Sequence, residues 1–201
     1  MRELILKMSI SIDGFVSDMD GTNKWMFGAD QEAKNWSVET LWDAGLHIMG
    51  SRTFRSMAGW WPTSTDMFAP PMNQIPKAVF SRQGPATLDE VRAHVGNRQS
   101  GERQSGAESW AEAYVASGDL AQEIARLKAQ DGKPIIAHGG VSFARSLIAL
   151  GLIDRYVLLV CPVVLGKGLS LFSELDAPMR LKLASSKAFP GGAVAQIYCA
   201  A

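Results

Sequence analysis

One stretch, Lys133 to Phe172 (KPIIAHGGVSFARSLIALGLIDRYVLLVCPVVLGKGLSLF), limits what this chain can fold into more than any other. Pro134 to Ala137 is a short apolar run that ends at His138 and the pair Gly139-Gly140. From Ser142 the apolar residues Phe143, Leu147, Ile148 and Leu150 follow helical spacing until Gly151. Tyr156 to Leu165 is then almost unbroken Val and Leu, the pattern of a strand buried on both faces. Strand, diglycine turn, helix and buried strand together require a parallel crossover. Two residues without Cβ at the strand end let a ligand or a backbone approach closely. The helix start behind them offers free N–H groups to an anion. A diglycine lacks the GxGxxG spacing of a dinucleotide fingerprint, so by itself it reads first as a tight turn.

The same junction recurs upstream. His47 to Met49 is an apolar strand that runs into Gly50, and Ser51-Arg52-Thr53 opens a helix carrying Phe54 and Met57. Hydroxyls beside a guanidinium suit a phosphate. Lys77 to Phe80 is a short strand ending in Ser81-Arg82, again a hydroxyl beside a guanidinium.

Around these junctions the chain alternates strands and helices. Leu4 to Ile12 is a strand closed by Asp13-Gly14, and Phe15 to Gly28 reads as a polar loop with Trp25, Met26 and Phe27 at its end. Asp30 caps a helix reaching Leu46, with Val38, Leu41 and Trp42 on one face. A loop runs from Gly59 to Ile75. Thr87 to Val95 is a helix with a Thr87–Glu90 capping box. The stretch 97–109 has no periodicity and reads as an exposed insertion. Trp110 to Val115 is a strand, and Asp119 caps a helix from Leu120 to Gln130. Met179–Lys187 and Ala193–Cys199 form a hairpin around Pro190-Gly191-Gly192. The expected fold is α/β, one domain over 1–201, with a mostly parallel sheet and an antiparallel C-terminal hairpin.

Composition excludes several classes. Lys+Arg 20 balances Asp+Glu 20, so no net field steers the chain to nucleic acid or an anionic membrane. No apolar run reaches the length of a membrane span, and Met1 leads directly into a strand. Cys161 and Cys199 lie in apolar runs without CxxC spacing, as expected of free thiols in a reducing cytoplasm. His47, His94 and His138 have no ligand spacing, so no metal is expected. There is no GxSxG, no Cys–His pairing and no Walker A loop.

In a parallel α/β sheet the strand C-termini share one edge, where ligands bind. Asp13, Gly50 to Thr53, Ser81-Arg82 and Gly139-Gly140 are expected on that edge as a composite site for a ligand with several phosphates. A phosphate site without a covalent nucleophile fits a reductase whose cofactor carries the chemistry.

The segments SISIDGFVS (9–17), IMGSRTF (48–54), KAVFSR (77–82), SGDL with LK (117–128) and HGGVSFARSLIALGLIDRYVLLVCPVVLGKGLSLF (138–172) carry a family resemblance. In this order and spacing they resemble the dihydrofolate-reductase-like fold. The likeness is to the branch holding the reductase domain of the bifunctional riboflavin-biosynthesis deaminase-reductase, in a stand-alone form. The resemblance implies a three-layer α/β/α fold, NADPH as cofactor, a small heterocyclic substrate and a homodimer. It implies that Gly50, Ser51, Arg52, Thr53, Ser81 and Arg82 surround the adenosine 2′-phosphate. It further implies that Gly139, Gly140, Val141, Ser142 and Phe143 hold the pyrophosphate, and that the loop at Gly166 lies near the nicotinamide. Asp13, His138 or water would supply the proton. Trp25 and Trp61 would line the substrate cavity or pack in the core. Where the bifunctional enzyme has an acid before the glycine turn, this chain has His138; the helical acid of a folate reductase has only Asp43 and Glu39 as counterparts. The alternatives are folate-reductase-type activity, a silent NADPH-binding module, and a plain α/β scaffold with surface arginines.

Overall fold

The computed structural model describes residues 1–28, 30–96, 102–173 and 175–200. Residues 97–101, the first part of the expected 97–109 insertion, lie outside the described residues, as do the side chains of Phe27, His94 and Val95. The strands are β1 (Leu4–Ser11), β2 (Phe15–Ser17), β3 (Leu46–Gly50), β4 (Lys77–Phe80), β5 (Tyr114–Ala116), β6 (Ile135–Ala137), β7 (Arg155–Cys161), β8 (Leu169–Ser170), β9 (Leu181–Ala188) and β10 (Val194–Ala200). The α-helices are α1 (Gln31–Trp42), α2 (Ser51–Ala58), α3 (Ala69–Gln74), α4 (Asp89–Gly96), α5 (Leu120–Ala129) and α6 (Val141–Ala149). Eight strands form one sheet in the order β5-β4-β3-β6-β1-β7-β10-β9, and β2 pairs with β8 separately. β1 and β7, β3 and β4, and β4 and β5 are parallel, whereas β10 is antiparallel to both β7 and β9. This is the mostly parallel sheet with an antiparallel C-terminal hairpin that the alternation of strands and helices predicts. No helix among the described residues is long and apolar enough to cross a membrane.

The chain divides into two compact units: Met1–Arg2 with Val38–Ile136, and Glu3–Ser37 with Ala137–Ala201. The first is centred on Ile48, Met49, Phe54, Ala78, Val79 and Trp110, each buried. Phe54 and Trp110 lie ring to ring at 5.6 Å. Full burial of a side chain such as Phe54 contributes roughly 1.5–3 kcal/mol. Beneath them runs a polar network. Trp110 Nε1 donates to Asn73 Oδ1 at 2.8 Å, and Lys77 Nζ donates to Asn73 O (2.9 Å), Ile75 O (2.7 Å) and Ser109 Oγ (2.5 Å). Lys77 thereby satisfies carbonyls left over at the C-terminal end of α3. Burial pushes its ammonium down to about 7, with Glu108 acting in the opposite sense.

In the second unit Ala33, Leu159, Cys161, Phe189, Ala193 and Ala195 form a buried cluster with Trp25, Trp36 and Val163 packed on it. Asp30 caps α1 as expected, accepting from Ala33 N at 3.0 Å, and its second oxygen receives Gly191 N of the hairpin turn at 2.8 Å.

Several expectations change. β7 stops at Cys161 rather than Leu165, because Pro162 has no N–H for the ladder. α1 ends at Trp42, not Leu46. The loop 15–28 contains β2, and the loop 59–75 contains α3. Trp110 belongs to a 3-10 turn, Ala107–Trp110, rather than to a strand. Thr87 makes no capping box: its hydroxyl turns to Ser81. The part of 97–109 that is described is not an exposed insertion throughout. Ala107 is buried, and Gln104 N bonds to Pro62 O at 2.9 Å. A Cβ at Gly106 would stand 2.8 Å from Gln74 Cα, so only glycine fits there.

Candidate functional site

In the first unit, β3 and β4 run in parallel with Gly50 opposite Phe80. Ser51 and Ser81 therefore leave adjacent strand ends side by side. Gly50 stands at the N-cap of α2 with no side chain capping it, so the first amides of α2, at Ser51 to Thr53, are unopposed by a cap. Arg52 and Arg82 are exposed, Ser51 and Thr53 half-buried, and Ser81 is 8% exposed. Ser81 N bonds to Ala116 O at 2.9 Å. Its Oγ accepts from Thr87 Oγ1 at 2.7 Å and from Gln83 N at 3.2 Å. Arg55, one turn along α2, donates to Gln83 Oε1 and lies 3.4 Å from Glu90. It also borders a cavity of about 260 Å³ with Ala58, Gly59, Glu90 and Val91, a hollow that includes none of the expected site residues.

Trp61 opens a 3-10 turn in this unit and is half-buried; its carbonyl receives Asn73 Nδ2 at 2.8 Å. Asp43 lies exposed beyond the last turn of α1, and Glu39 is exposed as well. Both are solvated carboxylates with no hydrogen bond or ion pair among the described residues.

In the second unit, His138 is half-buried and immediately precedes Gly139 and Gly140, which have φ of 44° and 62°. A Cβ at Gly139 would meet Met8 Sδ at 2.9 Å, the movable end of a flexible side chain, so it is the positive φ that demands glycine in this turn. Val141, Ser142 and Phe143 open α6, again with no side-chain cap. Arg145, one turn further, donates to Ser170 O from Nε (2.9 Å) and Nη2 (2.6 Å), which links α6 to β8.

Asp13 has a different character from the one expected. Its Oδ1 accepts from Ser11 Oγ (2.6 Å) and Leu165 N (3.2 Å), and its Oδ2 from Gly166 N (2.7 Å). The Ser11 hydroxyl, then the loop amides, hold its carboxyl below the usual range. An ionised acceptor serving three donors is a poor proton source. Asp13 instead fastens the Leu165-Gly166 loop to the end of β1. Gly168 in that loop is forced: a Cβ there would stand 2.2 Å from Ser17 O.

Trp25 packs on the Leu159–Phe189 cluster. With Gly28, Cys161, Pro162, Val163, Gly191 and Ala193 it borders a cavity of about 90 Å³. Its Nε1 is buried and finds no acceptor among the described residues.

Lys7 is the residue that sequence reasoning missed. It sits mid-strand in β1, on the face shared with Ser9 and Ser11 and, by the parallel register, with Val157, Leu159 and Cys161. Its ammonium lies 5.9 Å from the Trp36 ring centre and makes no hydrogen bond or ion pair among the described residues. Burial alone pushes it down to about 8. Lys7 nevertheless keeps part of its surface. A desolvated yet partly accessible amine without a partner is the pattern of a working group. The available signal was a lone cation inside the apolar run LILKMSIS.

The likeness to known proteins bears on fold and family. The Bacillus subtilis protein YyaP, itself uncharacterized, is 25% identical over 197 residues, covering 98% of this chain and 94% of YyaP. The crystal structure of a pyrimidine reductase-like protein from Corynebacterium diphtheriae superposes with a TM-score of 0.65 at 19% identity, over all of this chain and 92% of that one. Dihydrofolate reductase from Enterococcus faecalis, solved with NADP(H), gives 0.57 at 10% identity over 98% and 96%; both likenesses show the fold. The RibD C-terminal domain family matches residues 2–195, and with nearly every residue inside that match the chain belongs to the RibD C-terminal domain family.

Proposed function

We propose that this chain is an NADPH-dependent reductase acting on a small pyrimidine- or pterin-like ring. The observation that carries the reading is the pair of strand ends at Gly50 and Phe80. There an uncapped helix start carrying the exposed Arg52 follows one strand, and Ser81 with the exposed Arg82 follows its neighbour. That donor set, all hydrogen-bond donors or cations, fits a phosphate monoester and supports NADPH over NADH. The diglycine turn and the α6 amides would hold the pyrophosphate. Family membership, and the NADP(H) complex of the Enterococcus enzyme, support the same reading.

NADPH, when bound, supplies a hydride. The chain's own residues bind, orient and manage a proton. Asp13 holds the Leu165-Gly166 loop in place. Lys7, with an ammonium near 8, and His138 are the proton donors we propose, and the unpaired Trp25 indole N–H supports a substrate acceptor atom near its cavity. β9 is exposed on both faces from Lys182 to Ala188, which supports a second copy covering it and hence a homodimer. The test is turnover, followed as loss of reduced-nicotinamide absorbance against a panel of pyrimidine and pterin rings. Oxidation of NADPH by one of them is the expected result. Tight NADPH binding with no turnover on any ring would favour a silent binding module.

A further inference from the structure

The hydrogen bonds around Ser81 determine which way its hydroxyl can act, and Thr87 is the residue that sets it. Thr87 is fully buried, and among the described residues the only bond its hydroxyl makes is the one to Ser81 Oγ at 2.7 Å. If Ser81 were the donor in that bond, the Thr87 O–H would be sealed in the interior without an acceptor, a loss as costly as a hydrogen bond forgone. Thr87 therefore donates and Ser81 accepts. Ser81 Oγ also accepts from Gln83 N at 3.2 Å, in the short turn that the Arg55 to Gln83 contact pins from α2. A hydroxyl oxygen has two lone pairs and one hydrogen. Both lone pairs are engaged, and the Ser81 hydrogen is given to no described residue. Ser81 can meet a ligand only as a donor.

We propose that Thr87 is a positioning residue for cofactor selectivity: it locks Ser81 as a donor-only hydroxyl that donates to a phosphate oxygen and has no lone pair left for the hydrogen of a ribose hydroxyl. This rests on the reading of Ser81 as part of the 2′-phosphate site. It extends that reading to a buried residue that would never touch the ligand, and it states why the site would discriminate rather than merely attract. The capping-box motif Thr87–Glu90 acquires a use other than the helix start its spacing suggests.

The test uses adenosine 2′,5′-bisphosphate and adenosine 5′-phosphate as probes, titrated calorimetrically into the whole chain. Wild type is expected to prefer the bisphosphate. Thr87→Val, close in shape but without the O–H, should weaken the bisphosphate by about three- to tenfold, the worth of one modest hydrogen bond, and leave the monophosphate unchanged. Thr87→Ser should restore wild-type selectivity. In a Ser81→Ala background Thr87→Val should have no further effect, because Thr87 acts only through Ser81. Should Thr87→Val fail to fold, Thr87→Ala reads the same loss. Equal weakening of both probes, or an unchanged preference in Thr87→Val, would overturn the role of Thr87 while leaving the phosphate site standing. A wild type that does not distinguish the two probes would overturn the proposal together with the reading beneath it.

Discussion

Replacing Lys7 by methionine should make this protein more stable and less active. Lys7 carries its ammonium in the interior 5.9 Å from the Trp36 ring centre, without a hydrogen bond or ion pair among the described residues, and its pKa falls from the ordinary 10.5 to about 8. A shift of that size corresponds to roughly 3 kcal/mol of unfavourable burial, and about 1–2 kcal/mol after allowance for the part of the side chain that water still reaches. The sign follows from proton counting. Below pH 8 both folded and unfolded chains hold the proton, and the full cost is present. Between about pH 8 and 10.5 the unfolded chain binds a proton that the folded chain lacks, so stability rises with pH. Methionine, of similar length and apolar, removes the cost. At pH 7 Lys7→Met should therefore unfold about 1–2 kcal/mol later than wild type in urea, or several degrees higher in temperature. The advantage should shrink to nothing as the pH approaches 10.5. On the active ring, turnover should fall by at least about tenfold with NADPH affinity unchanged, since Lys7 is no part of the proposed phosphate site. A protein under selection for stability alone would not keep such an amine. If Lys7→Met proves less stable than wild type at pH 7, or equally active, the reading of Lys7 as a working group is wrong.

Lys77 gives a second pH dependence of the same sign at a lower window. With its ammonium near 7, wild type should gain up to about 1.4 kcal/mol per pH unit relative to Lys77→Met as urea melts move from pH 7 toward 10; a parallel pair of curves would refute it. Gly168→Ala forces a Cβ to 2.2 Å from Ser17 O, a backbone atom that cannot swing aside. It should cost about 2–4 kcal/mol and lower kcat/KM, and a melting temperature within a degree of wild type would contradict it. Asp13→Asn puts an amide NH₂ toward donors that now meet a carboxylate oxygen. Circular dichroism should show an unchanged fold while kcat/KM drops by about tenfold or more, with the loss in kcat rather than KM if the loop positions the reacting ring.

Much of the architecture was legible because periodicity and punctuation agree. The Pro134–Gly151 crossover, the Gly50 and Ser81 strand ends and the C-terminal hairpin each carry a two-residue or 3.6-residue pattern bounded by glycine. Local pattern says nothing of the partners chosen across the fold. Thr87 looked like a helix cap, but the buried hydroxyl of Ser81 six residues back competed for it and won. Asp13 looked like a pocket acid, yet its three donors come partly from Leu165 and Gly166, more than a hundred and fifty residues away. The segment 104–109 looked solvated because it has no periodicity and almost no apolar content. Ala107 and Trp110 still reach the core, and Lys77 and Asn73 supply the polar partners that the rest needs. Lys7 was overlooked for the opposite reason: a run apolar enough to read as a central strand hid the one residue in it that does not belong there.

The most direct measurement is a fluorescence titration of the purified protein with NADPH and, in parallel, with NADH. The two strand ends at Gly50 and Phe80, with Arg52, Ser81 and Arg82, predict tight NADPH binding at least about tenfold stronger than NADH, and loss of that preference in Arg52→Ala and Arg82→Ala. Equal and weak binding of both cofactors would contradict the phosphate site and the reductase built on it.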